Sequence, residues 1–436
     1  MPLGGGIAEV RARFDAAMAG FGGFESRPLL AVGVSGGADS LALLRLADAW
    51  CRERGGSVLA ITVDHRLRPE SAAEAARLGG WLAGLDIPHR ILVWEGEKPE
   101  TGIEAAARHA RHAALEAVCR AAGALHLLLA HHAGDQRETV TMRAARGPGP
   151  GEAGMAALDA RRDVRVLRPL LGCEKAELEG LCRALSQPWI EDPSNASDAF
   201  ERNRVRKRLA ALPQEKLAAL DAAIAAAQAR RAAAEAATAA RVQAWARLSP
   251  LGFAWVDAAA WRAAPRDAAA DRGFLAALLR CIGGGGYAPP RLALDRACET
   301  LLAGQGATLA GCVLRPGGGG LWVLRECRSA PPPHCAAGLW DGRFSVAAEW
   351  QGRLRYPRDA AERQAVLAAF SAFGPGEAPP SCAVAARIPV ADAADGVCVP
   401  GLLGYDPGVP PVRFRPPHGV SACTVWLAPP GARLMY

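Results

Sequence analysis

Lysine is nearly missing from this chain: of 51 basic residues, only those at positions 98, 175, 207 and 216 are lysine. An arginine skew of that kind suits planar, bidentate recognition of phosphate, but genomic base composition accounts for it at least as well. No stretch of about 18 uncharged apolar residues occurs, so a membrane-spanning helix is not expected. The opening MPLGGGIAEVRARFDAAM has no apolar core and mixes Glu9 and Asp15 with arginines, so no signal peptide is expected either. The 12 cysteines include no C-x-x-C pair, which argues against a disulfide framework and against a zinc site. Charge of one sign is also lacking. Against 44 acidic residues the basic ones leave a net charge of +7, too mild to point to nucleic acid by itself. What remains is a chain of 436 residues, 50% hydrophobic and 22% charged. That is material for two or three domains of about 100–200 residues in a soluble, cytoplasmic protein.

From about residue 28 to 192, short apolar runs alternate with helical patterns. Residues 28–34, 58–63, 87–94 and 125–130 read as strands. Between them, 40–50, 70–82 and 102–122 carry apolar residues at helical spacing. Strands separated by helices of this length predict βαβ units and a parallel, doubly wound sheet covered on both faces. An alanine-rich stretch over 213–247 predicts a long helix leading into a mainly helical middle domain, with glycine runs at 283–286 and 317–320 as turns. A proline cluster at 331–333 reads as a linker, and 334–436 as a small α+β or β-rich C-terminal domain. The expected boundaries are 1–212, 213–330 and 334–436.

The segment Ser35-Gly36-Gly37-Ala38-Asp39-Ser40 carries the chemistry. A strand runs into a serine-glycine-glycine turn and then into a helix. Two glycines allow consecutive backbone N–H groups to converge on an anion, and the helix start adds unsatisfied donors and the positive end of its dipole. Ser35 and Ser40 add hydroxyls. The common phosphate loop, G-x-x-x-x-G-K-[ST], needs a lysine; here an acid, Asp39, stands in the cradle. A carboxylate beside polyphosphate repels it unless a cation intervenes, so Asp39 is a candidate Mg²⁺ contact. Glycine-glycine alone equally describes a plain βα turn, with Asp39 as a helix-terminus charge; the serines, acid and apolar helix together favour the cradle.

This loop resembles the S-G-G-x-D-S PP-loop of the N-type ATP pyrophosphatases, which cleave ATP between its α- and β-phosphates. Four further segments narrow the likeness. Asp64 and His65 end the second strand, where an open α/β sheet places ligands. Arg108 and Arg111 lie three apart on one helical face. His131-His132-Ala133-Gly134-Asp135-Gln136-Arg137-Glu138 follows the fourth strand, with both acids on one face of a helix. The acids can hold an ammonium group or simply complement a helix terminus. The two histidines are adjacent and point differently, with no third metal ligand at useful spacing. Finally, Trp189 to Asn195 leads to Arg202, Arg204, Arg206, Lys207 and Arg208, a cationic patch suited to a nucleic-acid backbone or to solvent. In this order the segments resemble the tRNA(Ile)-lysidine synthetase family over residues 28–208. The likeness is weaker in 307–315 and faint around 340–344.

The resemblance implies ATP-dependent ligation of free L-lysine to C2 of the wobble cytidine of a tRNA(Ile) with anticodon CAU. The C2 oxygen is first adenylated, and lysidine forms as AMP leaves. It implies ATP at Ser35–Ser40 with Arg108 or Arg111, Mg²⁺ at Asp39, lysine at Asp135 and Glu138 near His131, and tRNA at 202–208 and the later domains. Homodimer formation is left open. The family pattern H-x-x-D-D-Q-x-E-T departs here, with Gly134 at the first acid and Arg137 at the variable position. Two other readings stay in view. A sulfur-transferase with the same loop is disfavoured by the lack of a cysteine pair. An idle binding protein is disfavoured by the intact loop and acids.

Overall fold

The computed structural model describes residues 5–64, 66, 70–93, 103–145, 150–191, 201–249, 251–285, 287–317, 319–326, 339–346, 354–371, 385–393, 396–398 and 412–416. The chain divides into two compact units, residues 1–231 and 232–436.

The first unit begins with α1 (Gly5–Phe21), followed by β1 (Leu29–Gly33), α2 (Ala38–Arg52), β2 (Ser57–Asp64), α3 (Ser71–Ala83), β3 (His89–Val93), α4 (Ile103–Ala122) and β4 (His126–Leu128). After these come α5 (Ala133–Ala144), β5 (Leu158–Ala160), β6 (Arg165–Leu167), α6 (Lys175–Ala184), α7 (Glu201–Ala210) and α8 (Gln214–Trp245), the last crossing the unit boundary. The six strands form one sheet in the order β3-β2-β1-β4-β6-β5. Every pair is parallel except β5 with β6.

Strand alternation sends the apolar side chains of β1 to both sides. Leu30 and Val32 join a core with Val10, Phe14 and Met18 of α1, Leu41 and Leu44 of α2, and Leu178 and Leu181 of α6. Ala31 joins Leu59, Ile61, Leu115, Val118 and Leu127 on the opposite face, which α4 covers. Two buried faces explain why the strands read as continuous apolar runs. The order also creates the kind of crevice in which open α/β sheets bind ligands. Chain connections leave β1 toward β2 on one side, and β4 arrives on the other, so the crevice outside their carboxyl ends is a topological switch point. The Ser35–Ser40 loop follows β1 and the histidine–acid segment follows β4.

The second unit contains β7 (Ala246–Ser249), β8 (Phe253–Val256), α9 (Ala258–Ala263), α10 (Ala268–Gly283), α11 (Arg291–Leu302), β9 (Ala307–Leu309), β10 (Cys312–Gly317) and β11 (Gly320–Arg325). The helices expected there are joined by an antiparallel sheet, β7-β8-β11-β10-β9, packed on Phe274, Leu275, Leu278 and Leu279 of α10. Asp267 starts α10 by accepting the N–H groups of Ala269 and Ala270 at 3.1 Å each, and Gly284, at φ +72°, ends it. Farther on stand β12 (Leu339–Trp340), β13 (Phe344–Val346), β14 (Leu354–Arg355), α12 (Ala360–Ser371), β15 (Val390–Ala393), β16 (Gly396–Cys398) and β17 (Val412–Phe414), in two three-stranded sheets. Arg343, 1% exposed, anchors this region. Its guanidinium donates to the carbonyls of Gly252 and Ile282 and to the Asp341 carboxylate, so its buried charge is paired. Among the described residues no helix is long and apolar enough to cross a membrane.

Candidate functional site

The loop after β1 is shaped by its own small residues. Gly36 adopts φ +88°, the left-handed region that glycine enters without strain. Its carbonyl accepts the N–H of Ile190 at 2.9 Å, and a Cβ on Gly36 would come within 2.9 Å of the Ile190 side chain. The segment containing Trp189 therefore seats on the loop, which the sequence alone did not show. Ser40 closes the turn: its hydroxyl donates to the Gly37 carbonyl at 2.9 Å and accepts the Ser35 N–H at 3.1 Å. The Ser35 hydroxyl donates in turn to Ser40 at 3.3 Å. Gly37 caps α2 without a side-chain hydrogen bond. The first N–H groups of α2, which have no intrahelical acceptor, thus rim the crevice.

Asp39 stands in the first turn of α2, and its Oδ1 is buried with no hydrogen-bond partner. Burial pushes its carboxyl above the ordinary aspartate value, and Asp135 adds to this, although His132 and Lys175 pull the other way. Lys175, one of the four lysines, opens α6 and was not singled out from the sequence.

Across the crevice, α5 starts at His132. The imidazole Nδ1 accepts the Gly134 N–H at 3.1 Å, and Asp135 Oδ2 accepts the His132 backbone N–H at 3.0 Å, a reciprocal cap. His132 Nε2 lies 3.6 Å from Asp135 Oδ2 and 3.8 Å from Asp39 Oδ2. The structure thus brings Asp39 and Asp135 to one histidine. That histidine is the second of the adjacent pair; His131, named as a candidate, also lies close enough to help hold the Asp135 charge. Burial opposes the charge on Asp135, but His132, Arg202 and the backbone N–H outweigh it and set its carboxyl below the usual range.

The acid pair is already in contact with cations. Arg202 donates to Asp135 Oδ1 at 2.5 Å and to Glu138 Oε2 at 2.5 Å, and Arg206 donates to Glu138 Oε1 at 2.6 Å. Helix α7 therefore has two faces. Arg202 and Arg206 turn inward to the acids, whereas Arg204, Lys207 and Arg208 are exposed. Two of the five basic residues read together as an RNA patch are thus paired with acids, with their side chains 34% and 40% exposed.

The remaining candidates are distributed as follows. Asp64 is buried and its Oδ1 accepts the Arg66 N–H at 2.8 Å, capping the turn after β2; His65 lies outside the described residues. Arg111 is half-buried on α4, and the Arg108 side chain lies outside the described residues. Arg137, at the variable position of the family pattern, is a staple. It donates to Glu174 at the start of α6 (2.5 and 3.0 Å) and to Asp221 of α8 (2.7 and 2.8 Å). Gln136 clasps the backbone of Met155 with two hydrogen bonds, 2.6 and 3.0 Å. Among the described residues no group of three or more histidine, cysteine or acidic side chains is placed to hold a metal ion.

A PP-loop domain model matches residues 9–213. A tRNA(Ile)-lysidine synthase of Rhizobium meliloti is 38% identical over 360 residues, 74% of this chain and 76% of that protein. One of Mesorhizobium japonicum is 35% identical over 400 residues, 88% of this chain and 86% of that protein. Another, of Rhodopseudomonas palustris, is 44% identical over 198 residues, 45% of this chain and 57% of that protein. The chain belongs to the tRNA(Ile)-lysidine synthase family.

Proposed function

We propose that this chain ligates L-lysine to C2 of the wobble cytidine of a tRNA(Ile) bearing the anticodon CAU, at the expense of ATP. The cytidine O2 attacks the α-phosphate and pyrophosphate leaves; lysine Nζ then attacks C2, and AMP departs with the oxygen. The substrate places the protein in the cytoplasm.

The observation that carries this reading is the meeting of the two half-sites at the switch point. The phosphate cradle ends in Asp39, the acid pair begins at Asp135, and His132 stands between them. Backbone donors at the start of α2 suit a polyphosphate and cost no reorganisation when charge develops. An orphaned, buried carboxylate oxygen beside that cradle fits a hard cation such as Mg²⁺, which takes one or two carboxylates and completes its shell with phosphate and water. Asp39 would hold it, and the ion, when bound, neutralises charge on the departing pyrophosphate. Asp135 and Glu138 are read as a cation site, and their contacts with two guanidinium groups support that reading. The lysine ammonium, with an ordinary pKa of about 10.4, must enter this region and lose a proton before it attacks. Displacement of Arg202 from the acids gives it that place. The exposed face of α7 is left for the tRNA backbone, with a flipped or looped-out cytidine reaching the crevice.

A sulfur-transfer reaction on the same loop would need a reactive thiol. The seven cysteines whose side chains are described are all buried. Cys182, whose thiol donates to the Ala38 carbonyl at 3.4 Å, is pushed up to about 11 by burial first and by Asp39 second. Incubation with ATP, radiolabelled lysine and a tRNA bearing CAU decides the matter: label is expected in that tRNA and none when C34 is changed. ATP and tRNA binding with no AMP formed in the presence of lysine would defeat the reading.

A further inference from the structure

The mechanism above uses Asp39 for the nucleotide step and Asp135 for the lysine step, and leaves unexplained the side chain between them. His132 is 7% exposed and is held at two nitrogens. Its backbone N–H holds Asp135 Oδ2, and its Nδ1 accepts the Gly134 N–H. With Nδ1 an acceptor, the ring N–H is at Nε2. That N–H faces Asp135 Oδ2 at 3.6 Å and Asp39 Oδ2 at 3.8 Å. A ring so arranged is unsuited to taking a proton from lysine, because its one free lone pair is already used. At these separations, beyond direct hydrogen-bond reach, it is suited to setting the positive end of an N–H dipole between two carboxylates that would otherwise repel each other across the crevice.

Space for the ring depends on position 134. A Cβ on Gly134 would fall 2.8 Å from His132 Cε1 and 3.1 Å from Nδ1, closer than real side chains pack. The glycine at the pattern's first acid is therefore what lets the imidazole lie over the start of α5. In this chain the ring fills the room that a side chain at 134 would take.

We propose that His132 is a positioning residue that couples the two steps, its Nε2–H aligning Asp39 for adenylation and Asp135 for lysine. The inference rests on the proposed ligation and concerns the same site. On this account the cap and the donor are separable functions of one side chain. Asparagine at 132 keeps an acceptor near Nδ1 for the Gly134 N–H but has nothing at Nε2. Glutamine places an N–H near Nε2 and loses the cap.

The test measures two partial reactions and the melting temperature for wild type, His132→Asn and His132→Gln in the full chain. Wild type reports separately on the ligation itself: if it transfers no labelled lysine to the CAU tRNA, the functional reading fails whatever the variants do. Given wild-type transfer, His132→Asn should melt within about 2 °C of wild type. It should release pyrophosphate at least tenfold more slowly and show a lysine KM raised about tenfold. His132→Gln should recover most of both losses despite a lower melting temperature. Wild-type kinetics in His132→Asn would overturn the proposal. So would a His132→Gln variant no better than His132→Asn, or a loss that follows melting temperature across the pair, since each makes His132 a cap alone.

Discussion

At the scale of single residues, the site is an arrangement of charges that burial makes expensive. Asp39 has its ionised form disfavoured by burial. Replacing it with asparagine removes that cost while barely changing shape, so Asp39→Asn should retain or slightly raise the melting temperature and lose pyrophosphate release. Normal release from this variant would remove Asp39 from the nucleotide step. Asp135 behaves oppositely. Its carboxyl titrates below the ordinary value, so its stabilising contribution is present above about pH 4 and disappears as pH falls through the folded value. The melting temperatures of wild type and Asp135→Asn should therefore converge on acidification below about pH 4, and a constant gap would contradict the assignment. Gly134 yields a less intuitive expectation. Gly134→Asp restores the acid of the family pattern, yet its Cβ would press on the His132 ring. Lysine transfer should fall, not rise, when measured as kcat/KM for lysine.

At the scale of elements, α7 separates two roles that the bare sequence merges. Arg202 and Arg206 reach inward to acids 64 to 68 positions earlier in the chain, and the outward face keeps Arg204, Lys207 and Arg208. Changing the three outward residues to alanine should weaken tRNA binding and flatten the slope of log affinity against log salt by about 2–3, if each meets one phosphate. Arg206→Ala should leave the slope alone and lower the melting temperature, because Glu138, 3% exposed, loses a partner. An unchanged slope in the triple variant would show that the outer face meets only solvent. This division also marks what the sequence can reveal. The strands and helices from β1 to β4 were legible because each is a contiguous apolar pattern, and the nucleotide loop because its parts are neighbours in the chain. Pairing between Arg202 and Glu138 was not, since nothing local in a cationic run says which side chains find an acid. Strands β5 and β6 have three residues each, too few to show a period. In the second unit the sheet was not legible because the glycines at 317–320, across which β10 and β11 are joined, read only as a turn and say nothing of the strands beside it. Helix α1 did carry a signal, Val10, Phe14 and Met18 at spacings of four, all buried.

At the scale of the whole molecule, the question is where the catalytic unit ends. Composition changes at about residue 213, and a boundary there looks natural. The compact unit instead continues to Arg231, well into α8. The reason lies in arginines. Arg137 grips Asp221 with two hydrogen bonds of 2.7 and 2.8 Å, and Arg231 donates to the carbonyls of Gly154 and Met155 at 3.3 and 3.2 Å. The first turns of α8 thus help to hold α5 and the 153–155 segment, which Gln136 clasps from the other side. Both large apolar clusters of this unit lie within residues 10–182, so a fragment ending at 212 keeps them but loses the buried Ile224 and Ala227 of α8. It loses the Asp221 partner, leaving Arg137, with its side chain 16% exposed, on Glu174 alone. After allowance for the 44% exposure of Asp221, the pair is worth about 1 kcal/mol. A fragment of residues 1–231 should accordingly melt cooperatively and bind ATP, and one of residues 1–212 should melt several degrees lower, about 2–4 °C per kcal/mol for a domain of this size. Introducing Asp221→Asn into the longer fragment should reproduce only the share of that difference due to the ion pair, about 2–4 °C. Equal melting temperatures for the two fragments would place the boundary back at the change in composition and make the start of α8 a mere connector.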